Sequence, residues 1–206
     1  MKQRYLKHGM LAILIEMMFL PSMLKALPSS MDAKGYKKRV KKEYKAMLER
    51  TPGLGGNSME PTLYVAAFIF SLYKADEKNI TPEVVDKMVD EVFASKMMAK
   101  QVMKCTLFTD KVQDRKVKAS RASQSSTYEL DWKFDYVKGK DEFHNTYTEC
   151  GICKLARREN CFPFVKCLCN MDERNYWNEG GVLHRTMTLA EGSPCCDFHV
   201  TKREDL

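Results

Sequence analysis

The stretch VLHRTMTLAEGSPCCDFHVTK, residues 182–202, decides the fold class of this chain. Residues 182–190 and 195–202 can each place alternate side chains on two faces, which is the period-two pattern of β-strands. The sequence EGSP at residues 191–194 separates the two segments and is typical of a turn that reverses the chain. The stretch therefore predicts an antiparallel β-hairpin at the end of a chain whose first half has helical periodicity.

The other segments divide into helices, one further strand and loops. Aromatic and charged residues alternate over residues 128–136 and predict a strand, whereas the polar residues 120–127 predict a loop. The glycine-rich residues 51–61 lack the motif of a phosphate-binding loop and predict a flexible connection. Helical spacing predicts helices at residues 5–25, a lysine-rich helix ending near Arg50, residues 59–74, a helix from Pro82 capped by Thr81, and residues 146–159 and 163–176.

These elements predict an α+β fold in which a helical N-terminal half packs with a small antiparallel sheet, a C-terminal helix pair and the β-hairpin. The length of 206 residues fits one domain, residues 1–206, and we expect no second catalytic domain in this chain. Residues 1–30 are expected to form an N-terminal helical extension.

The composition is that of a globular protein with a mild positive charge. Hydrophobic residues make up 44%, charged residues 30%, and the net charge is +7, with the densest lysine run at residues 34–45. Because Tyr36, Val40, Tyr44 and Met47 form an apolar stripe through that run, it is interpreted as a solvated helix rather than a phosphate or acidic-partner patch. No nucleic-acid partner is expected.

The apolar segment near the N-terminus could belong to a targeting signal or to the fold. It is interrupted by Glu16, ends at Pro21, is shorter than a bilayer span and precedes no typical cleavage site. We therefore interpret it as a core or docking helix that could also form a homodimer surface, and expect no membrane partner. Eight cysteines without a convincing signal favour free thiols and a cytoplasmic location.

Two cysteine clusters precede the hairpin. Cys150 and Cys153 are spaced to share a helix face, and zinc would need two more ligands from Cys161, Cys167, Cys169 or Cys196. A redox dithiol would need a thioredoxin-like unit that the pattern lacks, so structural thiols are favoured while zinc and redox roles stay open.

Cys169 and Asp172 are also three residues apart, which places a thiol beside a carboxylate. Since a carboxylate raises the pKa of a thiol, activation would need a cation or base, and His184, Arg185 and His199 are candidates if the hairpin packs on this helix. In the hairpin, Cys196 and Phe198 point to one face and Cys195 and Asp197 to the other. A buried, closing role is the alternative for Cys196.

The order of the motifs resembles the L-2-amino-thiazoline-4-carboxylic acid hydrolase family. The resemblance is carried by Cys150-Gly-Ile-Cys153, Leu168-Cys169-x-x-Asp172, His184-Arg185-Thr186-x-Thr188-Leu189-Ala190-x-Gly192 and Cys196-Asp197-Phe198, together with the earlier PGLGGN segment. The family-like region extends over residues 45–202.

The resemblance implies a hydrolase that opens the ring of a cyclic isothiourea derived from cysteine, a small-molecule substrate. It implies Cys169 or Cys196 as nucleophile or substrate-facing thiol, and Asp172 or Asp197 as amidine partner and base. His184 would be the proton shuttle and Arg185 the carboxylate clamp, with Thr186 and Thr188 also contacting substrate. The motifs require no cofactor and assign no metal ligand, although a divalent metal stays open.

Two other functions fit the same residues. A non-enzymatic ligand sensor is one, because strand-plus-helix-pair domains also resemble vinyl-reductase-type ligand-binding modules and a fold does not define a reaction. A cysteine-rich metal or redox module is the other, and stoichiometric zinc would favour it.

Overall fold

A computed structural model describes residues 4–95 and 106–204 of the chain. These ranges contain seven α-helices and four β-strands, which confirms the α+β class. The helices are α1 (Met10–Met23), α2 (Ala33–Arg50), α3 (Glu60–Lys74), α4 (Pro82–Phe93), α5 (Asp110–Gln124), α6 (Gly151–Arg158) and α7 (Val165–Asn178). The strands are β1 (Lys133–Lys138), β2 (Glu142–Glu149), β3 (Gly181–His184) and β4 (Cys196–Lys202).

The lysine-rich helix α2 is amphipathic, as its sequence predicts. Its stripe of Tyr36, Val40, Tyr44 and Met47 is fully buried, and most of its lysines are exposed. Because a helix repeats every 3.6 residues, this spacing directs one face to the core and leaves the lysines in solvent. The buried faces of α3 and α4 complete the helical core.

Helix α1 packs into that core. Ala12, Ile15 and Leu20 are buried, and the buried carboxylate of Glu16 lies 2.7 Å from both the His8 imidazole and the Lys41 ammonium. Its opposite side exposes Met10, Leu11, Ile13, Leu14 and Met17. The homodimer surface expected there stays a prediction.

Across residues 4–95 and 106–204, every helix is too short or too polar to traverse a lipid bilayer.

The four strands form one antiparallel sheet in the order β1-β2-β4-β3. The side chains on one face of the sheet come from alternate residues and are buried; they include Phe134, Phe143, Asn145 and Phe198. The intervening residues point to the opposite, outer face, since successive side chains alternate along a strand. This alternation separates a covered face from a solvated one.

The helix predicted over residues 146–159 is wrong in its first part. Residues 142–149 form β2, which pairs with β1 on one side and β4 on the other, and α6 begins only at Gly151. Because β2 lies between β1 and β4, its backbone groups find hydrogen-bond partners on both sides. β1 is adjacent in sequence, whereas β4 is distant.

The predicted hairpin is present, but its first strand is shorter than expected. β3 ends at His184 and pairs with β4, and residues 185–195 leave the sheet. The carboxylate of Asp197 explains the departure, because it accepts hydrogen bonds from the backbone N–H groups of Thr186 and Met187 and so replaces the strand ladder.

The loop predicted over residues 120–127 is wrong up to Gln124, the last residue of α5. The side chains of Ser120, Ser123 and Gln124 donate to the backbone oxygen of Phe134 at 2.9, 3.4 and 3.0 Å. These polar residues therefore hold α5 against β1. The strand predicted over 128–136 correspondingly begins later, at Lys133, and extends to Lys138.

Candidate active site

A cavity of about 530 Å³ lies between the buried sheet face, α7 and the start of α3. This volume is in the range of small-ligand sites. Aromatic side chains form much of its wall. Polar lining groups lie on β2, on α7 and in the segment that follows β3, and Arg115 and Lys116 of α5 line it as well. The lining side chains used below are Trp132, Tyr136, Phe143, Asn145, Tyr147, Cys150, Cys169, Asp172, Tyr176, Arg185, Cys196 and Phe198.

An ion pair joins two elements across the cavity wall. Nη1 of Arg185, just after β3, donates to Oδ2 of Asp172 on α7 at 2.8 Å. Nη2 of Arg185 donates to the backbone oxygen of Cys169 at 3.2 Å, and its guanidinium lies 5.1 Å from the Phe198 ring centroid. A guanidinium carries more N–H donors than these two hydrogen bonds use, so it could also bind a ligand anion.

Burial raises the pKa of Asp172 from 3.8 to about 6, and the Arg185 guanidinium limits that rise. About 34% of the Asp172 side chain is still accessible, and this surface opens onto the cavity. A carboxylate with a pKa near 6 can accept a proton at neutral pH and return it during a reaction.

The amide oxygen of Asn145 is buried and has no hydrogen-bond partner. Nδ2 of Asn145 donates to Oη of Tyr147 at 2.7 Å, which fixes the side chain and leaves Oδ1 as an acceptor. An unpaired buried acceptor carries a desolvation cost. Since Asn145 lines the cavity, a ligand N–H group can supply the missing partner.

Among the three thiols that line the cavity, Cys150 has the surroundings that most favour ionisation. It is half-buried, lies at the N-cap of α6 and lines the cavity. The Cys153 thiol, followed by the N–H groups of Cys153 and Ile152, lowers the pKa of Cys150 against the effect of burial. These N–H groups do not form a full cap hydrogen bond, so the effect is one of proximity at a helix N-terminus.

Gly151 explains how α6 reaches this position. A side chain there would overlap the backbone oxygen of Leu130 and the ring of Trp132. Glycine therefore permits the first turn of α6 to lie directly against the segment before β1, and this places Cys150 at the cavity.

The structure brings Cys169 and Cys196 to the same cavity as Asp172 and Arg185. Their surroundings keep both thiols protonated, because burial raises the pKa of Cys169 to about 12 and that of Cys196 to about 11. Sγ of Cys196 also accepts from the Leu189 N–H at 3.2 Å. Either thiol can therefore contact a substrate, but neither is well placed to act as a nucleophile.

Four other candidate residues lie outside the cavity wall. His184 is exposed on the outer sheet face, where its Nε2 lies 3.1 Å from Oγ1 of Thr201. Asp197 accepts from the N–H and Oγ1 of Thr186, and Thr188 caps the following 3₁₀ turn through the Glu191 N–H. We correct their roles accordingly: the two threonines and Asp197 shape the loop that carries Arg185 and Cys196.

The cysteines do not form a metal site within residues 4–95 and 106–204. No three of them bring their sulfurs together at the spacing of metal ligands. Cys161 and Cys167 donate instead to the backbone oxygens of Glu159 and Pro82. The cysteine-zinc alternative therefore has no ligand set here, and Cys105 lies outside the described residues.

Comparison with known families places this geometry in context. The model of the L-2-amino-thiazoline-4-carboxylic acid hydrolase family matches residues 62–200. The chain belongs to this family. The matched region contains every cavity residue discussed above, from Trp132 to Phe198. No curated protein matches the chain.

Among solved structures, the chain is similar to the crystal structure of an Fe(II) unliganded H-NOX protein mutant from K. algicida. The sequences are 9% identical, the alignment covers 92% of this chain and 97% of that one, and the TM-score is 0.30. A TM-score this low supports no conclusion about fold or function.

In this hydrolase-family chain, sequence reasoning gave no functional role to the cavity residues Asn145 and Tyr147 and did not predict the lowered pKa of Cys150. The helix predicted over residues 146–159 includes Tyr147 near its start and leaves Asn145 just before it. The alternation of Phe143, Asn145 and Tyr147 was the available signal, since it has the period of a strand. For Cys150, the signal was a cysteine directly before a glycine at a helix start.

Proposed function

We propose that this chain is a hydrolase that opens the ring of a cyclic amidine acid, such as 2-amino-thiazoline-4-carboxylate, to a carbamoyl-cysteine. The observation that carries the proposal is the grouping of the Arg185–Asp172 ion pair, the unpaired Asn145 oxygen and the Cys150 thiol around one cavity. Membership of the hydrolase family supports the same reaction class.

The polar groups match the two ends of such a substrate. Arg185 would bind the substrate carboxylate through its remaining N–H donors. The amidinium would be held by the carboxylate of Asp172 and by Oδ1 of Asn145, which accepts from the exocyclic nitrogen. The aromatic wall would pack against the ring and exclude water from it, which strengthens these charged contacts.

Cys150 would start the reaction as a thiolate. Its sulfur adds to the amidinium carbon, and the carbon–sulfur bond of the ring breaks with its electron pair on the ring sulfur. Asp172 carries a proton from the amidine nitrogen to that sulfur, which leaves as a thiol. We expect sulfur rather than nitrogen to depart because a thiolate is the weaker base. The amidine carbon is then bonded to Cys150.

Water would complete the turnover. Asp172 accepts a proton from the attacking water and returns it to the amidine nitrogen, while the oxygen bonds to the carbon. The bond from that carbon to Cys150 then breaks with its electron pair on Sγ, and the thiolate is restored at the N-terminus of α6. One water is consumed, the product is an N-carbamoyl-cysteine, and the proton brought by the amidinium is released.

Ring opening by the purified full-length chain tests the proposal. Cleavage of the carbon–sulfur bond yields one new thiol per turnover, whereas carbon–nitrogen cleavage yields a primary amine, so both products are quantified. Cys150→Ser should abolish turnover, and Cys195→Ser serves as a matched control because Cys195 does not line the cavity. If the Cys150→Ser variant turned over substrate at the wild-type rate, Cys150 would not be the nucleophile.

The alternative function is that of a ligand sensor without catalytic activity. Saturable binding of the thiazoline acid by wild type, with no product over prolonged incubation, would support it. Loss of binding in Arg185→Gln under the same conditions would show that the cavity is still the ligand site.

A further inference from the structure

Three of the four histidines in the chain lie in one row across the outer face of the sheet. His144 on β2 is directly opposite His199 on β4, and His199 is directly opposite His184 on β3. The rings of His144 and His199 are stacked with centroids 4.3 Å apart and an interplanar angle of 11°. The row crosses three adjacent strands, so the hydrogen bonds between their backbones fix the spacing of the three histidines.

A carboxylate completes the group. Glu142 precedes His144 by two residues on the same face of β2, and its Oε2 lies 2.7 Å from Nε2 of His199. One ligand atom from each of Glu142, His144 and His199 lies within 4.8 Å of the other two. This is the one such three-residue group among the residues that the structure describes.

We propose that Glu142, His144 and His199 bind a Zn²⁺ ion on the outer face of the sheet. Two imidazole nitrogens and one carboxylate oxygen are donors that zinc accepts, with water in the remaining position. Glu142 and His144 are exposed and His199 is half-buried, so an ion can enter from solvent. Binding requires the three ligand atoms, which lie within 4.8 Å of one another, to converge on the ion by side-chain rotation.

His184 is excluded from the ligand set. Its Nε2 is engaged with Oγ1 of Thr201, and its ring packs against His199 at 5.4 Å between centroids. Its place at the end of the row makes it a positioning residue that limits the rotation of His199. Removing it should weaken zinc binding less than removing a ligand does.

The site is separate from the cavity and does not depend on the proposed hydrolase activity. Glu142, His144 and His199 alternate with Phe143 and Phe198, whose side chains face the cavity on the other side of the sheet. A bound ion would join β2 to β4 and would stabilise the pairing that also positions Asn145. Its expected effect is therefore on folding stability.

Zinc titration of the metal-stripped, untagged full-length chain tests the proposal. Calorimetry should show one tight Zn²⁺ per chain, and His144→Gln, His199→Gln and Glu142→Gln should each weaken it by roughly tenfold or more. His184→Gln should have a smaller effect, and His8→Gln, at a distant ion pair, should have none. At about a hundredfold excess of zinc over Kd, the wild-type Tm should rise by roughly 5–10 °C and that of the ligand variants should not.

Cobalt substitution distinguishes a metal ion bound at this site from one bound by cysteine thiols. The first equivalent of Co²⁺ should give visible ligand-field bands without a thiolate-to-metal charge-transfer band. A charge-transfer band at the first equivalent would assign the ion to cysteines and overturn the proposal. Wild-type zinc affinity in both His144→Gln and His199→Gln, with metal-free circular dichroism showing that both are folded, would overturn it as well.

Discussion

Arg185 donates a 2.8 Å hydrogen bond from Nη1 to Oδ2 of Asp172, and this contact joins the segment after β3 to the middle of α7. The two residues are 13 positions apart in sequence and lie in different elements. The side chains are 11% and 34% accessible, so the pair is partly desolvated but open to the cavity. It places opposite charges side by side where a zwitterionic ligand could bind both.

Removal of the guanidinium should impair substrate binding more than folding. In Arg185→Gln, we expect the KM for the thiazoline acid to rise roughly tenfold or more, because a charge-assisted hydrogen bond to the carboxylate is lost. The loss of unfolding free energy should be only about 1 kcal/mol, since the partner carboxylate is a third accessible. Steady-state kinetics and urea denaturation measure the two effects. An unchanged KM would exclude Arg185 as the carboxylate clamp.

The rate should depend on the ionisation of Asp172. Burial raises the pKa of this carboxyl to about 6, and the proposed base is its deprotonated form. We therefore expect kcat/KM to rise with pH through about 6 and to lose most of its value below that pH. Asp172→Asn should lower the rate about a hundredfold or more and remove this limb from the pH profile. If the pH profile of the Asp172→Asn variant kept a limb at the same pH, the titration would belong to another group.

Cys150 should be the most reactive cavity thiol. Because its pKa is lowered whereas burial raises those of Cys169 and Cys196, iodoacetamide should modify Cys150 first at neutral pH. Cys153→Ala removes the thiol that stabilises the anion, so the pKa of Cys150 should rise. A rise of one pKa unit lowers the thiolate fraction about tenfold at a pH below that pKa. Peptide mass spectrometry over a time course locates the label, and faster modification of Cys169 than of Cys150 would contradict this order.

Asn145 should matter for ligand binding and little for folding. Its unpaired oxygen gives the folded state no hydrogen bond, so Asn145→Ala should cost stability mainly through the lost 2.7 Å contact to Tyr147. Ligand affinity should fall about tenfold, as expected for a lost hydrogen bond to a charged group. Tyr147→Phe removes the same internal contact but keeps the oxygen, and so it is the matched control. Equal losses of affinity in the two variants would show that Oδ1 does not contact the ligand.

Asp197 should position the loop that carries Arg185 and should take no part in the reaction itself. Its carboxylate accepts from the N–H of Thr186 at 3.0 Å, from Oγ1 of Thr186 at 2.6 Å and from the N–H of Met187 at 2.6 Å. Asp197→Ala should lower the unfolding free energy by about 2 kcal/mol, because bonds to a charged acceptor are lost. The pH limb assigned to Asp172 should keep its position in this variant. A displaced limb would place Asp197 in the reaction.

Local pattern was sufficient to predict the fold class and most of the helices, but not α5 or the start of α6. The buried stripe of α2 from Tyr36 to Met47 follows from helical periodicity alone, and so does the shared face of Cys169 and Asp172. The β-hairpin followed from alternation and a turn, although the hydrogen bonds that the Asp197 carboxylate accepts from the Thr186 and Met187 N–H groups shortened its first strand. Each of these features depends on residues a few positions apart.

The identity of β2 and the chemistry of the cavity were decided by tertiary structure. Residues 142–149 become a strand because β1 and β4 flank them, and Asn145 gains its buried position from that pairing. The outer histidine row appears only when the register places His144, His199 and His184 opposite one another.

The sequence by itself determined which segments are amphipathic and hence that helices cover a small antiparallel sheet. Tertiary structure decided that Cys150, and not Cys169 or Cys196, has the lowered thiol pKa, and that His184 faces away from the cavity. The physical reason is that amphipathicity is set by neighbours along the chain. A pKa or a binding geometry depends on burial and on charges that only folding brings together.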